Sequence, residues 1–143
     1  MRVLLDTDVL LDSLLQRPPW HAESDEILRR AAGSEVHLAV VSLTLANLFY
    51  VGRRIVGAER ARAEVRRIVM TFDVLPVDRQ TILDADALPG ADFEVNIQIA
   101  ATKSANLDAI VTRNTQDFSA STIPVWTPSE LLGRLTSPTT IRR

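Results

Sequence analysis

The chain has 143 residues, of which 16 are basic and 18 acidic, so its formal net charge is −2. This length, with a hydrophobic fraction of 46%, indicates one globular domain with a core of its own. The absence of cysteine excludes disulfides, a thiolate zinc site and a cysteine nucleophile, and the near-zero net charge argues against binding nucleic acid by bulk attraction.

Neither a membrane span nor a signal peptide is expected. The longest apolar runs are well short of the roughly 18–20 residues of a membrane helix, and Asp6 interrupts the first of them. We therefore expect a cytoplasmic protein without a membrane partner. The pattern predicts a single domain over residues 1–135, followed by a flexible tail over 136–143.

Short apolar strands alternate with amphipathic helices along the chain. The first half predicts, in order, a strand over Arg2–Asp6, helices over Asp8–Gln16 and Trp20–Ala32, a strand over Glu35–Val41, a helix that Ser42 caps and that ends near Ile55, and a helix over Ala58–Phe72. The second half predicts a strand over Val74–Val77, helices capped by Asp78 and Asp92, strands over Leu107–Thr112 and Ile123–Trp126, and a last helix opened by a capping box at Thr127–Glu130. Strands that are apolar on both faces predict a parallel sheet covered by helices on both sides.

Acidic residues follow two of the predicted strands. Asp6 ends the first strand, with Asp8 shortly after it, and Asp117 follows the strand that ends near Thr112. Ligands of such sheets lie beyond the carboxyl ends of the strands, so Asp6 and Asp117 are expected to meet there. Converging carboxylates would suit Mg²⁺, which takes oxygen ligands and can activate water for attack on a phosphate. The structural alternative is that Asp6 caps a helix and Asp117 caps a turn.

Three segments together resemble the PIN-domain family, in particular the nucleases of the VapC-type toxins. These segments are Val3–Asp12 (VLLDTDVLLD), Ala91–Ala100 (ADFEVNIQIA) and Ala109–Phe118 (AIVTRNTQDF), the last followed by IPVWTPSE at Ile123–Glu130. The second is similar to the D-F-E-D-x-x-Q helix start of one PIN subgroup, and the third to its I-V-T-R-N-x-x-D-F motif. The likeness runs over about residues 2–132.

The resemblance implies an α/β fold, a three-layer α/β/α sandwich with a mainly parallel central sheet. It also implies an endoribonuclease that cleaves RNA phosphodiesters with Mg²⁺ or Mn²⁺ as cofactor. Asp6 and Asp117 match the family's metal ligands, Thr112 and Asn114 lie beside them, and Asn47 takes the place of an acid as a neutral helper. A homodimer and a small antitoxin that blocks the acidic groove are the implied partners.

Val95 stands where the motif has a central acid. A valine cannot bind a metal, so we expect weak metal binding and weakened or lost cleavage. Asp8, Asp92 and Glu94 are possible substitute ligands, although Asp92 is also a natural helix cap. Val95 can instead join Ile99, one helical turn later, in an apolar stripe.

Other readings remain open on the sequence. Arg53, Arg54 and Arg113 are candidate RNA contacts, or else belong to solvated faces. A catalytically inactive PIN domain could serve as a module that binds RNA or protein. The Asp6-Thr7-Asp8 run is also similar to the D-x-D motif of haloacid-dehalogenase-like phosphohydrolases, but that motif continues with Gly and needs a late lysine, whereas Lys103 falls within a predicted helix.

Overall fold

The computed structural model describes residues 1–136. The strands are β1 (Arg2–Leu5), β2 (His37–Val41), β3 (Asp73–Leu75), β4 (Ala109–Val111) and β5 (Val125–Trp126). The helices are α1 (Thr7–Leu14), α2 (His21–Ala32), α3 (Ser42–Val56), α4 (Ala58–Thr71), α5 (Arg79–Asp86), α6 (Phe93–Ser104) and α7 (Pro128–Thr136). A short 3-10 helix spans Thr115–Phe118. No helix in this part of the chain is long and apolar enough to cross a membrane.

The five strands form one parallel sheet in the order β3-β2-β1-β4-β5. Alternate residues of a strand point to opposite faces, and β1 shows this directly. Val3 and Leu5 pack with helices α1, α2, α3, α4 and α7, whereas Leu4 packs on the other face with α6 and the 3-10 helix. The predicted three-layer α/β/α sandwich with a parallel sheet is confirmed.

Several element boundaries differ from the sequence-based prediction. Ser42 is the first residue of α3 rather than its cap, and the cap position is Val41, which makes no side-chain capping bond, so that prediction was wrong. β3 ends at Leu75 because Pro76 has no N–H to give to a neighbouring strand. β2 begins only at His37, since the Glu35 N–H turns back to the carbonyl of Arg30. The predicted tail over 136–143 lies outside the described residues except for Thr136, where α7 ends.

The strand order reverses direction at β1. From β1 the chain passes to β2 and β3 on one side, and it later passes to β4 and β5 on the other. In open parallel sheets the crevice at such a switch point, beyond the carboxyl ends of the strands, is where ligands bind. Leu5 is paired with Val111, so β1 and β4 end side by side and deliver the residues that follow them, Asp6 and Thr112, to this crevice.

Candidate active site

Asp6 lies at the centre of the crevice between β1 and β4. Its N–H donates to the carbonyl of Val111 at 3.0 Å. Its Oδ1 accepts from the N–H of Thr7 at 2.8 Å and from Nε2 of Gln98 at 3.0 Å. Its Oδ2 accepts from the hydroxyl of Thr112 at 2.8 Å. Asp6 is thus the N-cap of α1 and, at the same time, a half-buried carboxylate fixed by two other elements. The capping role is confirmed, and the role of Asp6 as a metal ligand stays a prediction.

Asp8 lies next to this centre, in the first turn of α1. Its Oδ2 accepts from Nδ2 of Asn114 at 2.9 Å, and the Asn114 N–H donates to the Thr112 hydroxyl at 3.0 Å. Oδ1 of Asp8 is buried without a hydrogen-bond partner in the described residues. Burial and the negative charge of Asp6 raise the pKa of Asp8 to about 7, although Arg113 opposes the shift. The crevice therefore concentrates more negative charge than its own donors neutralise.

The start of α6 supplies the other acidic groups. Asp92 is the N-cap of α6 and accepts from the N–H of Val95 at 3.2 Å, as its alternative role as a cap predicted. Glu94 accepts from Nδ2 of Asn47, on α3, at 2.7 Å. Burial raises the pKa of the Glu94 carboxyl, the bond from Asn47 opposes this, and the charge of Asp6 raises the pKa further. Glu94 is thus close enough to Asp6 to be affected by its charge, and its role as a substitute ligand stays a prediction.

Val95 is 8% exposed and belongs to the same apolar cluster as Leu4 and Ile99. Its side chain fills the floor under the crevice. The residue at the position where the motif has an acid therefore contributes apolar packing in this chain.

The remaining acid of the motif, Asp117, lies in the 3-10 helix that follows β4. Its side chain is exposed, and its N–H donates to the carbonyl of Asn114 at 3.0 Å. It lines an open cleft of about 310 Å³ together with residues 113–116. Asp117 thus borders the same loop that carries Thr112 and Asn114, and its role as a metal ligand stays a prediction.

Arg113 is held at the rim by a buried acid. Its Nε donates to Oδ2 of Asp12 at 2.6 Å and its Nη2 to Oδ1 at 3.2 Å, and Asp12 is fully buried. Nε of Arg17 lies 3.2 Å from the same carboxylate. Arg53 and Arg54 are exposed in the last turn of α3, about 9 Å or more along the helix axis from Asn47 at 1.5 Å per residue. A role of these two arginines in RNA binding stays a prediction.

Two residues that hold the site in place were not assigned a role from the sequence. Gln98 is 1% exposed and reaches Asp6 from the middle of α6. The motif with which α6 begins contains this glutamine, so a signal was present. Asp12 gave a weaker signal, an acid among leucines on α1, and only the fold shows that Arg113 is its partner.

The donor set suits a divalent cation of the hard type. Within residues 1–136, no group of three or more His, Cys, Asp or Glu side chains is arranged to hold a metal by itself. The available ligands are carboxylate, amide and hydroxyl oxygens, and the unpartnered Oδ1 of Asp8 marks uncompensated negative charge. Mg²⁺ is commonly bound by one or two carboxylates and keeps several waters. The residues present therefore fit such an ion, but with few charged ligands.

The fold has close counterparts among toxin–antitoxin structures. VapBC2 from Rickettsia felis, bound to a DNA fragment from its promoter, matches with a TM-score of 0.69 and 13% identity, over 89% of this chain and 98% of the other. A toxin–antitoxin complex from Klebsiella pneumoniae matches with a TM-score of 0.67 and 22% identity, over 88% and 97% of the two chains. VapC20 from Mycobacterium tuberculosis, a toxin that cleaves the sarcin–ricin loop, matches with a TM-score of 0.60 and 13% identity, over 76% and 86%.

The sequence comparison identifies the family. No curated protein matches the chain significantly. A family model of the PIN domain matches residues 2–116, which include β1, the whole of α6 and the loop after β4 that build the crevice. The similarity to VapC-type structures and this match agree with the three sequence motifs. The chain therefore belongs to the PIN-domain family.

Proposed function

We propose that the protein is a VapC-like endoribonuclease that cleaves RNA phosphodiesters, with an activity weakened or lost because Val95 replaces a central acid. One observation carries the proposal. In a PIN-domain chain, Asp6 is held by Gln98 and Thr112 at the switch point of the sheet, so a negatively charged oxygen is fixed where ligands of such folds bind. VapC20 supports the substrate class, since it cleaves the sarcin–ricin loop.

PIN domains generally depend on divalent metals. Asp6 and Asp117 would hold a Mg²⁺ or Mn²⁺ ion, with Glu94 as the nearest substitute for the missing acid and Asn47 as a neutral helper. When bound, such an ion polarises the scissile phosphate and activates water for attack. Asp92 is an unsuitable substitute because its Oδ1 already caps α6.

The neutral residues of the crevice orient the reacting groups. Thr112 fixes Oδ2 of Asp6 and accepts the N–H of Asn114, so the loop after β4 follows the position of the carboxylate. The Asn114 amide holds Oδ2 of Asp8 at 2.9 Å, so the orientation of that second acid is fixed by the loop after β4. Arg113 presents positive charge at the rim, where a phosphate would approach.

Val95 explains why the activity is expected to be low. Asp8 and Glu94 remain beside Asp6 and are repelled by its charge, but the acid that the motif has at position 95 is missing. Removing one group that stabilises developing charge typically costs about 10²–10³ in rate. Val95→Asp is therefore expected to raise cleavage by about 10²-fold, at some cost in stability because the side chain is part of the apolar floor.

The partners follow from the same family. The Rickettsia and Klebsiella neighbours are toxin–antitoxin assemblies. We propose a small cognate antitoxin that covers the acidic crevice, and a homodimer as the toxin form. An RNA substrate also implies that the protein acts in the cytoplasm.

The test is RNA cleavage with Mg²⁺ and with Mn²⁺ by four proteins: the natural chain, Asp6→Asn, Val95→Asp and Val95→Asn. Val95→Asn is the matched control, since it has nearly the shape and polarity of Val95→Asp without the charge. We expect Val95→Asp to cleave fastest and Asp6→Asn to be inactive. If the natural chain and Val95→Asp cleave equally, the assigned role of Val95 is wrong. If none of the four cleaves, the protein is a PIN module that binds RNA or protein without cutting it.

A further inference from the structure

A second cleft opens beside the crevice, between the start of α2 and the start of α7. Its volume is about 370 Å³. Its walls are formed by Trp20, Glu23, Arg113, Asn114 and residues 127–129. The cleft shares Arg113 and Asn114 with the opening that Asp117 lines, so the two adjoin along the loop after β4.

An aromatic platform forms one wall of this cleft. The guanidinium carbon of Arg113 lies 4.1 Å from the centroid of the Trp20 ring and covers part of it. Trp20 nevertheless remains 41% exposed, which is unusual for a ring that has a stacking partner. A planar surface of indole and guanidinium is therefore open to the cleft, and this is the surface on which unpaired nucleobases stack.

The charge of the platform favours an anion. The buried carboxylate of Asp12 faces two guanidinium groups, those of Arg113 and Arg17, so the three side chains together carry one net positive charge. Two N–H groups of Arg113 are used by Asp12, and its other N–H groups are free to meet a phosphate. Because Asp12 fixes the guanidinium from below, it serves as a positioning residue for this contact.

We propose that this cleft binds one nucleotide of single-stranded RNA next to the cleavage centre, with its base stacked on Trp20 and its phosphate at Arg113. The inference rests on the proposed ribonuclease function and names a substrate subsite for it. The Glu23 carboxylate in the wall repels phosphate and accepts hydrogen bonds from base N–H groups. It therefore orients the nucleotide with its base towards α2 and its phosphate towards Asn114.

The probe is a fluorescein-labelled single-stranded RNA of about 12 nucleotides. Its affinity is measured for the natural chain, Trp20→Ala and Trp20→Phe, with a metal chelator present so that the RNA is not cleaved. Stacking of one base is worth about 1–3 kcal/mol. We expect Trp20→Ala to weaken binding between about 5-fold and 150-fold, and Trp20→Phe to recover most of the loss. The same RNA in a duplex should bind the natural chain and Trp20→Ala with equal affinity, because its bases are not free to stack on the ring.

A second readout observes the cleft in a protein whose Trp20 is intact. The chain has two tryptophans, so in Trp126→Phe all the emission comes from Trp20. We expect the single-stranded RNA to quench this emission with the same midpoint as the binding curve. The Trp126→Phe protein should bind RNA as the natural chain does, because Trp126 is not among the residues that line the cleft and its ring packs against Arg134.

The outcomes separate this inference from the function on which it rests. If Trp20→Ala binds RNA as well as the natural chain does, or if Trp20 emission does not change, the subsite is wrong, whereas the nuclease proposal is decided separately by the cleavage assay. If the natural chain neither binds nor cleaves RNA, both fail. If only Trp20→Ala loses affinity and Trp20→Phe keeps it, the subsite is established.

Discussion

The hydroxyl of Thr112 donates a 2.8 Å hydrogen bond to Oδ2 of Asp6, although 106 residues separate the two in the chain. The same hydroxyl oxygen accepts the N–H of Asn114 at 3.0 Å. One buried side chain therefore joins the end of β1 to the loop after β4. Its loss leaves both a carboxylate oxygen and a backbone N–H without their partner.

Thr112→Val is the first test of this junction. The substitution keeps the shape and removes the hydroxyl, so we expect the free energy of unfolding to fall by about 1–3 kcal/mol. Urea denaturation measures it. Thr112→Ser is the matched control, because it keeps the hydroxyl and should lose less. No loss in Thr112→Val together with a loss in Thr112→Ser would mean that the methyl group, and not the hydrogen bonds, stabilises the junction.

Arg113→Met tests the buried ion pair with Asp12. It leaves a fully buried carboxylate with Arg17 alone, and breaking such a pair typically costs about 3–5 kcal/mol. The stability of Arg113→Lys should lie between those of the natural chain and Arg113→Met, since an ammonium cannot give the two parallel bonds of a guanidinium. The double variant Asp12→Leu with Arg113→Met should recover part of the loss, which chemical denaturation would show. A single variant as stable as the natural chain would contradict the pairing.

Asn47→Asp tests the contact with Glu94. The 2.7 Å bond from the amide would be replaced by two facing carboxylates. A lost hydrogen bond of about 1 kcal/mol lowers the melting temperature by about 2–4 °C in a domain of this size, and like-charge repulsion adds to this. In thermal melts, we expect Mg²⁺ or Mn²⁺ to raise the melting temperature of Asn47→Asp more than that of Asn47→Ala, the neutral control. Equal metal responses would place the cation elsewhere.

Glu26 gives a pH-dependent prediction away from the site. Hydrogen bonds from Arg29, and next from Arg30, lower the pKa of its carboxyl from 4.5 to about 2. The ionised form is favoured by folding, so its contribution is complete above about pH 4.5 and is lost as the pH falls towards 2. Glu26→Gln should therefore lower the melting temperature at neutral pH, with the difference vanishing near pH 2.

Local patterns in the sequence predicted the elements and part of the site. Capping residues such as Asp78 and Asp92 were confirmed, because a cap bonds to backbone only a few residues away. The stripe of Val95 and Ile99 was confirmed for the same reason, since both lie in one apolar cluster. Ser42 was wrong because the backbone turn into α3 comes one residue earlier, at Val41.

Local patterns in the sequence could not predict the contacts between distant segments. Gln98 meets Asp6 across 92 residues, and Arg113 meets Asp12 across 101. A polar residue within an apolar stretch of sequence indicates that its side chain needs a hydrogen-bond partner. Only the strand order shows which residue that partner is. The contact between Trp20 and Arg113 also joins distant segments of the chain. Asp12 holds the guanidinium of Arg113 in the position where it stacks on the Trp20 ring.

The position of β1 in the middle of the sheet has a consequence for synthesis on the ribosome. β1 is made before the other strands of the sheet, yet both side-chain partners of Asp6 follow it by 92 and 106 residues, and one of its two neighbouring strands, β4, is made between them. A nascent chain that has not reached Thr112 holds its key carboxylate on a strand with an open edge, without the donors that fix it. The crevice around Asp6 therefore assembles only after Thr112 has been made, and products that stop before this residue lack it.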